Sequence, residues 1–488
     1  MSDALRGKRI LLTGATGFIA KVVLEKLIRD VPGLGGIVLL LRGNAGQRLH
    51  RELLASSVFD VLRQRDAQRL HEAVQQRLRC VSGDIAEPDL GLDPEAFAAL
   101  ASEIDVVVHV AASVDFREPL DRALAVNALS LQALARLARL AGGIALVQVS
   151  TCYVNGLHRG AVAETLAPPA RADLPRHAGG HFEVDGWIAE LQSAIAGLKA
   201  RIVEPAERSR ALVALGIREA RRRGWNDTYT FTKWLGEQIA WRECAGGTLT
   251  IVRPAIVEST WREPLPGWIE GMKVGDAIVL AYARGKTTLF PARTAGVADI
   301  VPADLVANTI VLAAAQALAR PGRRRIVQVA SSVRNPVRVG EYIRLCQDEM
   351  RGNAEAYPRL IKRPLGAFRT VPRPLFMAWL ATAHAAARLV NAVVPLALFD
   401  RLETTRELAE VFSFYTSPRC VFECTRLLEM ADEFEPADRE RFPGDPACID
   451  WPAYVARVHL PGLERFALKD RAAQREEPGF HPGYEATS

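Results

Sequence analysis

The sequence predicts an α/β fold: a doubly wound parallel sheet with helices on both faces, followed by a mainly helical C-terminal region. Three observations lead there. Short apolar runs alternate with helical periodicity along the first 338 residues. The first of these runs ends in a glycine-bearing turn that opens a helix. A Tyr-x-x-x-Lys pair stands on a later helical stretch, downstream of a strand that ends in Ser-Thr. The expected organisation is a unit over 1–338 carrying an insertion at 157–226, a mainly helical unit over 339–470, and a polar tail over 471–488.

The bulk composition narrows the class. Hydrophobic residues make up 49% and charged residues 24% of 488, the balance of a globular enzyme with a real core. The net charge of +6 is spread along the chain, which argues against nucleic acid and suits anionic small molecules. Seven cysteines, mostly single, build no disulfide framework. The pair Cys420 and Cys424 lacks a histidine cluster, so no metal site is expected. No apolar leader precedes the first strand, and a cytoplasmic, reducing location is expected. The apolar stretch 371–399 is interrupted by His384, Arg388, Asn391 and Pro395, whereas a spanning helix needs about 20 largely uninterrupted apolar residues. Three readings of that stretch stay open: the lining of a tunnel, an interfacial element docked peripherally on a membrane, and plain core.

Element by element, the first strand is Arg9-Ile10-Leu11-Leu12, and Thr13-Gly14-Ala15-Thr16-Gly17-Phe18-Ile19-Ala20 leads into a helix. That order is the one a dinucleotide-binding Rossmann unit requires. Gly14 permits the sharp turn, and Gly17 lets the backbone approach a diphosphate at the helix N-terminus. Thr13, Thr16, Phe18 and Ile19 complete the turn, and the third small position is Ala20. The second strand, 37–41, ends at Arg42, with Arg48 shortly after and no acid between them. A carboxylate there would favour NAD; guanidinium groups suit the 2′-phosphate of NADP. A third strand over 78–82 runs into Gly83-Asp84-Ile85, where the acid and its neighbour are expected to hold the adenine. The fourth, 106–110, is followed by Ala111 and Ala112, small enough for a cofactor to lie close. Asn127 on the next helix is a candidate for backbone support or proton relay, and His109 is read as a strand-end histidine with a hydrogen-bonded partner.

The fifth strand, 145–149, delivers Ser150 and Thr151 at its C-terminal end, where such sheets carry their chemistry. Tyr229 and Lys233 are four apart and share one helical face. Tyr229 is expected to act as general acid, Lys233 to lower the phenol's pKa and hold the nicotinamide ribose, and Thr151 to anchor the substrate oxygen. Cys152 follows Thr151 directly and is placed beside the substrate. No base is evident to activate it, so a structural role outweighs a covalent thioester one. Together these residues describe an extended short-chain dehydrogenase/reductase.

Longer strings narrow the family. TGATGF at 13–18, GDIAEPDLGL at 83–92, HVAASVDFREPL at 109–120, VSTCYVNG at 149–156, GWNDTYTFTKWLGE at 224–237, VRPAIVEST at 252–260, EPLPGWIEG at 263–271 and DIVPADLVAN at 299–308 resemble the fatty acyl-CoA reductases, alcohol-forming members included. The region 412–468 is similar to that family's C-terminal domain. The resemblance implies NADPH as cofactor, a long-chain fatty acyl-CoA and the fatty aldehyde as substrates, and catalytic roles for Thr151, Tyr229 and Lys233. It also places Pro254 and Ile256, in VRPAIVEST, beside the cofactor. The departure is Ala20, where many members carry glycine. Two enzymatic rivals stand beside it, a reductase that stops at the aldehyde and a nucleotide-sugar epimerase or dehydratase; the apolar C-terminal region disfavours the latter. An NADP-sensing binding protein is a third, against which both Tyr229 and Lys233 speak. Oligomeric state is not legible, although helices on such scaffolds often pair into homodimers.

On the substrate side, helices are expected within the insertion at 186–191 and 208–223. The basic run Arg218, Arg221, Arg222 and Arg223 would meet CoA phosphates or form a solvated face, with Arg221 and Arg222 the chosen candidates. The turn Leu265-Pro266-Gly267-Trp268-Ile269 is a candidate wall of the acyl site through Trp268.

Overall fold

The computed structural model describes residues 1–285, 289–391, 409 and 412–468. Its centre is a seven-stranded parallel sheet. The strands are β1 (Arg9–Thr13), β2 (Gly36–Leu41), β3 (Leu78–Ser82), β4 (Val106–His109), β5 (Ala145–Val149), β6 (Leu249–Pro254) and β7 (Arg324–Val329). Their spatial order is β3-β2-β1-β4-β5-β6-β7. The order reverses between β1 and β4, whose ends lie side by side in the register Thr13↔His109. A crevice opens at such a reversal because the connections leave to opposite faces.

Side chains alternate across the pleat and feed two cores. Ile10, Leu12, Ile37, Leu39, Val106, Val108 and Val147 face one, while Leu11, Val38, Leu40, Val107 and Leu146 face the other. The first is covered by α1 (Phe18–Asp30) and the nearly all-buried α8 (Ala303–Ala319). The second is covered by α2 (Pro94–Glu103), the helical chain α3 over 120–140, and α6 (Thr228–Glu243). The insertion supplies α4 (Asp185–Arg201) and α5 (Pro205–Arg223), which contain the helical stretches expected from sequence.

The C-terminal region follows with α9 (Val339–Gly352) and α10 (Arg373–Asn391), after α7 (Val274–Ala283). The division at 338/339 separates the chain but not the space it fills. The strand Cys420–Phe422 pairs in parallel with Gly160–Val162 of the insertion. Gly462 packs so closely on Gly267 that an added Cβ would meet the Gly267 carbonyl oxygen at 2.0 Å. Within the stretch 371–399, α10 buries Phe376 and Leu380 while Leu375 and Trp379 stand exposed; residues 392–399 lie outside the described residues, as does the tail 471–488. No helix among the described residues is long and apolar enough to cross a membrane.

Candidate active site

The turn after β1 is shaped for something to lie against it. Gly14 has φ of +71° and sits so close to β4 that a Cβ on it would meet the Ala111 Cα at 2.5 Å. That crowding requires glycine twice over, by conformation and by space. Gly17 is exposed at the N-terminus of α1 and no side chain caps it, which leaves the first N–H groups of the helix directed outward. Ala20 is fully buried against the sheet, so the smaller step from glycine to alanine is accommodated. Phe18 stacks on Trp268 with centroids 5.4 Å apart, Ile19 is half-buried beside it, and Lys273 lies 3.9 Å over the Phe18 ring.

The two arginines after β2 differ. Arg42 is exposed and forms no ion pair among the described residues. Arg48 is clamped by Glu52 at 2.6 Å, and one Nη also reaches the Thr16 hydroxyl at 3.4 Å. The acid that pairs with Arg48 lies one helical turn beyond it, past the stretch between the two arginines. Asp84 accepts from the Ala86 N–H at 3.0 Å and donates its own N–H to Leu90 O at 2.8 Å, which fixes the Asp84-Ile85 turn at the edge of β3.

At the end of β4 the Thr13 hydroxyl and His109 Nδ1 are 2.8 Å apart, and the Ala111 N–H donates to the same hydroxyl at 3.4 Å. Burial, with the Lys233 charge nearby, pushes the imidazole down to about 3, so His109 is neutral. Asn127 is buried and held by three hydrogen bonds. Its Oδ1 accepts from the Ser113 N–H at 2.9 Å, and its Nδ2 donates to Ser113 O and to the Thr232 hydroxyl, both at 3.0 Å. Such a side chain ties the loop after β4 to α6 and supports backbone.

Tyr229 and Lys233 both lie in α6, and the Tyr229 hydroxyl is hydrogen-bonded to Thr151 at the end of β5. Thr151 Oγ1 is also within 3.4 Å of Pro254 O, which brings the end of β6 to the same point, with Ile256 just beyond. Burial, and then the negative charge of Asp227, raise the Tyr229 pKa; the Thr151 bond opposes this. The expectation that Lys233 lowers it is therefore not met in this state. The Lys233 ammonium instead donates to the Val149 carbonyl at 2.6 Å, and burial brings its own pKa down to about 8. A phenol that holds its proton suits a donor.

Three aromatic rings and one acid in this neighbourhood were not singled out from the sequence. Phe116 meets the Tyr229 ring edge-on at 5.9 Å, and Tyr415 lies 5.4 Å from Phe116 and 4.9 Å from Tyr153. The Tyr415 hydroxyl donates to Asp227 at 3.0 Å. Asp227 caps α6, accepting from the Thr230 N–H at 2.8 Å and from the Thr230 hydroxyl at 2.9 Å. The aspartate before a helical run was a usable capping signal. Nothing local marked Tyr415, which comes from the C-terminal region.

Other placements are corrections. Cys152 is completely buried, its thiol lies 3.0 Å from Arg253 O, and burial holds its pKa well above the ordinary thiol value. It faces the core rather than a substrate, and no thiolate forms there. Trp268 is buried too, donating to the Ser57 hydroxyl at 3.0 Å behind the β1–α1 turn, so it backs the cofactor side instead of walling an acyl site. Arg222 pairs with Glu190 and Glu219, and Arg223 with the same two acids. Arg221 O accepts from Arg171 at 3.1 Å. Within the basic run Arg218, Arg222 and Arg223 are paired with carboxylates.

The comparisons with known proteins fit this geometry. The NAD-binding model of the Male sterility protein family matches residues 12–310, and the Sterile model of that description matches 395–470. Fatty acyl-CoA reductase 1 of Arabidopsis thaliana is 31% identical over 95% of this chain and 98% of its own length. The chain belongs to the fatty acyl-CoA reductase family. The alcohol-forming fatty acyl-CoA reductase of Simmondsia chinensis is 29% identical over 96% of this chain and 98% of its own. Among solved structures, the terminal R domain of the myxalamid PKS-NRPS pathway covers 93% of this chain and 90% of its own with a TM-score of 0.58. At 21% identity that likeness speaks for the extended reductase fold alone. A nicotinamide cofactor follows from the matched NAD-binding region and from the cradle at Gly14.

Proposed function

We propose that this protein reduces long-chain fatty acyl-CoA to the fatty alcohol with two equivalents of NADPH, releasing CoA. The observation that carries the reading is the Thr151–Tyr229 pair, two hydroxyls joined at the carboxyl edge of the sheet beneath an aromatic ceiling of Phe116 and Tyr415. Thr13, Gly14, Thr16, Gly17, Phe18 and Ile19 would hold the diphosphate, Arg42 the 2′-phosphate, with Arg48 engaged by Glu52, and Asp84 and Ile85 the adenine. Ala111, Pro254 and Ile256 would flank the nicotinamide end, Asn127 supporting the loop beside it. NADPH, when bound, supplies hydride.

The chain's own groups supply the rest. As negative charge builds on the thioester oxygen, Thr151 and Tyr229 donate hydrogen bonds to it, and Tyr229 passes it a proton. Lys233, with a pKa of about 8, keeps its ammonium at neutral pH and favours the same charge. The thiohemiacetal collapses, breaking the C–S bond with departure of CoA thiol. The aldehyde left behind is again a carbonyl before the same two hydroxyls, and reduction there adds one hydride and one proton. Leu375 and Trp379, exposed on α10, support a peripheral contact with a membrane surface.

The test is incubation with palmitoyl-CoA and NADPH, following nicotinamide absorbance and identifying products by gas chromatography. Hexadecanol with two NADPH consumed per CoA supports the reading. Aldehyde with one NADPH per CoA supports the aldehyde-forming alternative, and no acyl-dependent oxidation overturns both. Tyr229→Phe is expected to lower kcat at least about 100-fold with NADPH still bound.

A further inference from the structure

Beside the aromatic ceiling lies a cavity of about 670 Å³, a volume suited to a small-molecule ligand. Its inner wall contains Tyr153 and Phe414, which are in ring contact with Tyr415 at 4.9 Å and 5.2 Å. Its outer part is basic. Arg159, Arg171, Arg293 and Arg419 line it, the first, third and fourth converging on an adjoining recess lined by them alone. No carboxylate stands among the described residues lining either space. These four arginines differ from Arg222 and Arg223 in this respect, since none of them is in an ion pair among the described residues. Arg293 donates to Pro418 O at 3.0 Å, which holds it beside Arg419.

Like charges gathered without counter-charges repel one another. That repulsion is relieved by one kind of ligand, a polyanion with many acceptor oxygens. Guanidinium forks match phosphate oxygens two at a time. We infer that this cavity is the docking site for the 3′-phosphorylated adenosine diphosphate end of CoA. Arg159, Arg293 and Arg419 grip the phosphates, and the pantetheine arm runs inward past Tyr153 and Phe414 toward Thr151. The inference rests on the acyl-CoA reading and replaces Arg221 and Arg222 as the phosphate contacts.

The test compares the wild-type enzyme with R159A, R293A, R419A and the triple variant on three substrates: palmitoyl-CoA, the uncharged palmitoyl-pantetheine, and hexadecanal. Direct calorimetry with free CoA runs alongside. Exposed charge-assisted pairs lead one to expect KM for palmitoyl-CoA to rise about fivefold per arginine and on the order of 100-fold for the triple variant, with kcat nearly unchanged. KM for palmitoyl-pantetheine and for hexadecanal should not move, which also shows that the variants are folded. CoA affinity should fall in step, and for wild type it should weaken with added salt. Equal KM for palmitoyl-CoA in wild type and triple variant overturns the inference while leaving the reductase reading intact. Should wild type reduce hexadecanal but not palmitoyl-CoA, the reductase reading fails. Calorimetry then decides the inference by itself: CoA binding lost in the triple variant upholds the site, and no binding to wild type overturns it. A palmitoyl-pantetheine KM that rises equally would assign the arginines to folding rather than to phosphate.

Discussion

Removing the Asp227 carboxyl should loosen both the catalytic helix and the C-terminal segment that closes over it. The side chain is 1% exposed and accepts from the Thr230 N–H, the Thr230 hydroxyl and the Tyr415 hydroxyl. Asp227→Ala deletes a helix cap worth about 1 kcal/mol. It also leaves two buried hydroxyls without their acceptor, at about 1–3 kcal/mol each. Relaxation of the Thr230 hydroxyl toward backbone recovers part of that, so about 4 kcal/mol is expected. Over 488 residues at about 2.1 cal/mol/K each, the unfolding entropy is about 1 kcal/mol/K, and the melting temperature should fall by about 4 °C. Tyr415→Phe keeps the ring and the cap and loses only the bond to Asp227, for about 1.5–3 kcal/mol and about 2 °C. Differential scanning calorimetry of both single variants and the double gives the coupling, expected at about 1.5 kcal/mol or more because the two groups share one bond. Activity should follow, with kcat/KM for acyl-CoA down about tenfold in Asp227→Ala, since Tyr229 is in the first turn of the uncapped helix. Strictly additive melting shifts would refute the reasoning, because they would mean that Tyr415 does not reach Asp227 and the C-terminal segment does not close on the catalytic helix.

Cys152→Ala should retain nearly all activity and lose about 1–2 kcal/mol of stability from its buried site, a result that full inactivation by this substitution would contradict. The free-enzyme profile of kcat/KM should fall on the alkaline side with an apparent pKa near 8. Lys233 has a folded-state pKa of about 8, so its ammonium is present below that pH and lost above it, and in Lys233→Ala this limb should vanish. Gly14→Val should abolish NADPH binding, measured by fluorescence titration, because its Cβ falls 2.5 Å from the Ala111 Cα at a φ that valine disfavours.

Much of the local framework of the proposed site was legible in the chain. The β1 turn, the Ser-Thr strand end and the Tyr-x-x-x-Lys pair are each contained within a few residues, and their order along the chain imposes their order around a parallel sheet. The helix α6 is the instructive case. It is buried almost all round, Phe231, Lys233, Trp234 and Glu237 alike, so no amphipathic stripe advertised it and only the motif placed it. The ion pair of Arg48 was hidden for a related reason: its partner Glu52 lies one helical turn on, visible only once the chain at 45–54 is known to be helical. Cys152 shows the same limit on a smaller scale. The chain leaves the extended Thr151 for a short helical turn that starts at Cys152, so its proximity to Thr151 in sequence did not carry over to the site.

By itself, then, the sequence determined the parallel sheet, the glycine turn after its first strand and the family of the chain, because each is carried by neighbours within one or two turns of chain. Only the tertiary structure decided what surrounds them. Tyr415 reaches Asp227 across 188 residues, and Arg159, Arg293 and Arg419 meet at one cavity from three separate segments. Local pattern specifies which face of an element is apolar. It does not specify where a distant segment ends its path, since that position is set by the summed packing of every element between, and charges or rings that meet there leave no periodic trace in the chain.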